Sequence, residues 1–111
     1  MKTKTDLHAL REIQNHFNLE EQTFSSEGEL VLLKFAMRLS TMSELELLNL
    51  KNTNYLYSNL EKAGVQQLQG DNIISDEILT KRINGIFFLK RKIDYLIDFA
   101  IAEYASNKKG K

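Results

Sequence analysis

His8, Glu12 and His16 recur at every fourth position, so on a helix all three share one stripe. Imidazoles and a carboxylate one turn apart can chelate zinc or nickel. The stripe faces away from Leu7, Leu10 and Phe17, the apolar residues of the same stretch, and therefore toward water. We read it as an ordinary polar helix face and assign no metal, cofactor or catalytic residue. Other chemistry is excluded outright. The chain has no cysteine, so disulfides and thiolate nucleophiles do not arise, and its composition suits a reducing cytosol. It contains no G-x-x-x-x-G-K-[ST], no G-x-G-x-x-G and no G-x-S-x-G. The Glu-x-x-His pair of di-iron bundles is also missing.

A second spacing lies in the same stretch. Arg11 and His16 form R-x4-H, which resembles the motif of the HEPN ribonucleases, small helical dimers. In that family the arginine and histidine act on RNA at the dimer interface. The resemblance covers two residues and sits in the first helix, whereas the family usually carries the motif late. It implies an alternative function, a small helical nucleic-acid-binding or RNA-acting protein. Charge gives that alternative little support. The chain balances 15 basic against 15 acidic side chains. From Asp71 to Lys111 there are 8 basic and 6 acidic residues, a surplus of 2 and not the clustered stripe of a nucleic-acid footprint. Lys90, Arg91 and Lys92 are followed by Asp94 and Asp98, close enough for local pairing, so a solvated charged face is expected.

The elements that would position these residues are helical. The longest is expected from Ser75 to Ala105, with Ser75 as N-cap and Asp76 and Glu77 favoured by the helix dipole. Leu79, Ile83, Ile86, Leu89, Ile93, Leu96, Ile97, Ala100 and Tyr104 make its core face, and Thr80, Asn84, Arg91, Asp94 and Asp98 its wet side. Phe88, Tyr95 and Phe99, spaced i, i+7, i+11, form a second stripe. They are the candidate interface residues, covered either by the protein's own first helix or by a partner. Asn84-Gly85 is a strong hairpin signal. The flanks do not alternate and the 3.6-residue period runs through it, so Gly85 is expected to be a close-packing point or mild kink.

Three further helices precede it. Thr5 to about Phe17 is amphipathic, with Leu7, Leu10, Ile13 and Phe17 on one face, and Asn18 to Phe24 is a connection. Ser26 to Glu29 fits a capping box ahead of Leu30–Leu39, a run so apolar that a central position is expected. Ser43 to Glu46 fits a second box and opens a helix to Ala63, with Gly64 as its C′ residue. Leu45, Leu48, Tyr55, Leu56 and Ala63 share one face, interrupted by Asn52 and Asn59. Leu47, Leu50 and Tyr57 share another, and a break near Lys51 to Asn54 is conceivable. Residues 65–74 form a connection.

At 111 residues with 42% hydrophobic and 27% charged, the chain fits one soluble domain with a modest core. The expected fold is all-α: a four-helix antiparallel bundle or bundle-like array over residues 1–105, followed by a flexible basic tail, 106–111. No run approaches a membrane span and no signal peptide is expected, so the location is expected to be cytoplasmic. The expected function is that of a non-enzymatic protein-interaction module, adaptor-, immunity/antitoxin- or chaperone-like, acting through helical surfaces as a homodimer.

Overall fold

The computed structural model describes residues 2–109, and the side chains of residues 8–106. Its elements in order are α1 (Lys2–Asn15), β1 (Phe17–Asn18), β2 (Thr23–Phe24), α2 (Ser26–Leu39), α3 (Glu44–Gly70) and α4 (Asp76–Lys109). The four helices among the described residues place the protein in the all-α class.

Local chemistry sets the helix ends. At α4 the Ser75 Oγ accepts from the Ile78 N–H at 3.3 Å, and Asp76 and Glu77 occupy the positive end of the dipole. The helix passes through Asn84-Gly85 without a hairpin and continues beyond Ala105 to Lys109. Residues 106–109 of the expected tail are thus helical, and residues 110 and 111 lie outside the described residues. At 34 residues α4 is about 50 Å long, nearly the 57 Å long axis of the molecule.

The Ser43 capping box forms as expected: Ser43 Oγ accepts from Glu46 N at 3.2 Å, and Glu46 Oε1 accepts from Ser43 N at 3.0 Å. The far end of α3 is different. The helix is unbroken at residues 51–54 and runs past Ala63, leaving Gly64 in its interior rather than at C′. It stops at Asp71–Asn72. Asn72 takes φ 62°, the Asn72 N–H bonds to Gln69 O, and the Ile73 N–H bonds to Leu68 O, both at 2.9 Å. This is a Schellman stop in which an asparagine fills the left-handed position that glycine usually takes. Gly64 is no stop because nothing there reverses the chain.

At α2 the cap lies one residue earlier than expected. Ser25 is the N-cap and its Oγ accepts from Gly28 N at 3.0 Å, so Ser26 opens no capping box. Nor is α2 central. Gly28, Phe35 and Leu39 are buried, whereas Leu30, Leu33 and Met37 are exposed. A helix apolar all round can bury any side, and only the neighbours decide which.

The centre is instead the antiparallel pair α3 and α4. Lys51 meets Asp98, Asn54 meets Asp94, and Gln69 meets Asp76. Helix α1 packs on α3 and α2, and α2 on α4. Leu10 and Ile13 of α1, Leu47 and Leu50 of α3, and Ile93 and Ile97 of α4 form the driest part of the core. Each such side chain contributes about 1.5–3 kcal/mol by leaving water. The α3 core face is therefore that of Leu47 and Leu50. The alternative face, with Leu45, Leu48, Tyr55 and Leu56, points outward.

The stretch after α1 is not a plain connection. Phe17 pairs with Phe24 and Asn18 with Thr23 in a short antiparallel hairpin. Its tip is held by Asn18, whose Oδ1 accepts from Glu21 N at 2.9 Å, and by Gln22 at φ 57°. Two helices make room for it. A Cβ at Gly85 would overlap the Leu19 carbonyl, lying 2.7 Å from its carbon, and a Cβ at Gly28 would lie 2.6 Å from His16 Cβ. Gly85 is the close-packing point expected, and the hairpin backbone is what packs there.

Candidate interaction surfaces

The hairpin decides the fate of the aromatic stripe. Phe17 is buried, and its ring lies 4.6 Å from that of Phe24 and 6.1 Å, stacked, from that of Phe88. Phe88 thus packs against the protomer's own core. Phe17 of the hairpin covers one side of its ring. Tyr95 and Phe99, farther along α4, stay 70% and 58% exposed. Of the three candidate residues, two remain at the surface.

Helix α3 presents a larger surface. Leu45, Leu48, Tyr55, Leu56 and Leu60 are all exposed, Leu45 and Leu60 by about 70%. The five charges of α3 are Glu44, Glu46, Lys51, Glu61 and Lys62. Only Glu44, in the first turn, is exposed, and the other four are half-buried on the flanks. From Leu45 to Gly70 every exposed residue is uncharged: leucines, Tyr55, small residues and the amides of asparagine and glutamine. In a chain that is 27% charged, a helix facing water is expected to carry its charges outward. Depletion of charge around an exposed tyrosine and a run of apolar side chains fits the centre of a contact surface. The signal was present in the sequence, in the five charges gathered on one half of the helix. It was hidden because the same leucines also fit a core stripe.

Side-chain pairing on the inner flank of α3 is complete. Asn54 is buried and donates through Nδ2 to Lys90 O at 3.2 Å and Asp94 Oδ1 at 2.9 Å. Asp94 also holds Lys90 Nζ at 2.6 Å. Asp94 is therefore no wet residue: the α3 side chains reach over that edge of α4. Asp98 pairs across to Lys51 at 2.7 Å, and its carboxylate raises the Lys51 ammonium above the ordinary lysine range. On the α1 side, Gln14 donates to Glu61 at 3.0 Å. The Tyr57 hydroxyl is pushed up to about 12, first by burial and then by the nearby Glu61 charge, with Arg11 opposing. Among the described residues no buried side-chain nitrogen or oxygen lacks a partner.

The residues with metal or ribonuclease spacing do not converge. His8 and Glu12 are exposed on α1. Helix α1 ends at Asn15, and His16 sits in the turn beyond it, where its carbonyl accepts from Ser25 N at 3.1 Å. Arg11 serves the Tyr57 hydroxyl, while His16 packs at Gly28. Among the described residues no group of three potential ligands could hold a metal ion. Three basic residues of α4 have partners: Lys81 with Glu77 at 3.6 Å, Arg82 with Glu20 at 3.3 Å, and Lys92 over the Phe24 ring at 5.8 Å. An open groove of about 610 Å³ lies beside the hairpin, floored by Phe17, Leu19, Val65 and Leu68 and rimmed by the Arg82–Glu20 pair. Among the described residues no helix is long and apolar enough to cross a membrane. Comparison with protein-family models, with curated proteins and with solved structures returns no match.

Proposed function

We propose that this protein is a non-enzymatic helical interaction module of the cytoplasm that acts through exposed helix faces and self-associates as a homodimer. One observation carries the proposal: the outer face of α3 is exposed, rich in leucine and free of charge over the roughly seven turns from Leu45 to Gly70. Exposed apolar area of this extent marks a contact surface in proteins that stay dispersed. A bundle-like, antiparallel array of the four helices belongs to the same reading, supported by the packing of α1 on α3 and of α2 on α4. Tyr95 and Phe99 on α4 are a second candidate surface, open to another protein.

Light scattering over a dilution series tests the proposal. The expected result is a dimer that dissociates on dilution, together with no shift of RNA or DNA in a salt series. A monomer throughout the concentration range overturns self-association.

A further inference from the structure

The outer face of α3 has a composition that suits one particular occupant. Three asparagines of α3, Asn49, Asn52 and Asn59, are exposed, and Asn52 and Asn59 lie along the middle of the leucine stripe. A buried amide must be paired, and because each amide carries both a donor and an acceptor, two facing amides can satisfy each other. A face without charge has no complementary charge to seek in a foreign partner. It also meets no like-charge repulsion against itself.

We infer that this face is covered by α3 of a second copy, packed antiparallel about a two-fold axis between Tyr55 and Leu56. This inference rests on the self-association proposed above. A two-fold at that point sets residue pairs whose numbers sum to 111. Asn52 then faces Asn59 of the other copy, and the same contact repeats on the far side of the axis, as an isologous interface requires. Leu48 meets Ala63, large against small, and Tyr55 meets Leu56 at the centre. The antiparallel sense follows from the ends. Glu44 and Glu46 both occupy the first turn of α3. A parallel pair would bring four carboxylates to one end and align two helix dipoles, whereas the antiparallel pair separates them by the length of the helix.

The chain has no cysteine, so introduced thiols report the register without background. A disulfide needs Cα atoms within about 7 Å. Under oxidation, the double variant Asn52→Cys/Asn59→Cys is expected to give a covalent dimer on a non-reducing gel. Each single variant is expected to stay uncoupled, because its own two thiols are offset by seven residues, about 10 Å along the axis. Leu56→Glu is expected to yield a monomer of unchanged helical circular dichroism. Coupling of either single variant with itself overturns the antiparallel register. A wild-type dimer that survives Leu56→Glu and gives no covalent dimer in the double variant moves the interface off α3 and leaves self-association standing. A wild-type monomer overturns both.

Discussion

Gly64 and Gly85 lie deep inside the two longest helices, and their surroundings are opposite. Around Gly64 nothing approaches within 4 Å of a would-be Cβ. At Gly85 the backbone of Leu19 occupies that space. One glycine is a gap in a side-chain row, and the other is a seat for a neighbouring chain segment. Identical residues in identical secondary structure thus differ by what tertiary packing brings against them. The same holds for whole faces. The inner edge of α3 is dry and fully paired through Asn54, whereas its outer face is open and uncharged.

The largest effect is expected where the contrast is sharpest. Gly85→Ala should destabilise by about 3 kcal/mol, near the upper end of overpacking costs, since the obstacle is backbone and cannot rotate away. The midpoint of urea unfolding checks this. A neutral result would mean that the hairpin detaches from α4 at no cost, and Phe88 would then lose its cover.

Asn54→Ala tests the inner edge of α3 and should cost about 2 kcal/mol, because it leaves the Asp94 carboxylate one donor short in a half-buried site. Exposed Asn52→Ala should be near neutral in the monomer, within about 0.5 kcal/mol. Thermal melts of the two variants at low concentration separate the two asparagines. Equal effects would sink the distinction between the two faces.

The smallest effect has the opposite sign. Gly64→Ala should stabilise by about 1 kcal/mol, since the residue is exposed, helical and unopposed. A loss of stability there would show that Gly64 is also in close contact, and the comparison with Gly85 would fail.

Much of this architecture was legible in residue order. The Ser43-x-x-Glu46 box, the Ser75 cap and the 3.6-residue period through Asn84-Gly85 determined the helices locally. Such signals act within one or two turns and need no neighbour. The end of α3 was not legible: Gly64 reads as the C′ stop and residues 65–74 as a connection, whereas the helix continues to Gly70. A glycine permits a stop, and only the chain reversal at Asn72 makes one.

Which face of each helix is buried was not written in the same way. Helix α3 has two apolar faces and α2 is apolar nearly all round, so periodicity alone left several rotations equivalent. Packing chose among them, through the partnership of α3 with α4 and the wedge of the 17–24 hairpin against Gly28 and Gly85. That choice drew Phe88 inward, left Tyr95 and Phe99 outside, and turned Leu45, Leu48 and Leu56 to water. Helix formation is a local matter of caps and spacing, whereas burial depends on which surfaces meet, and residues far apart in sequence settle that together.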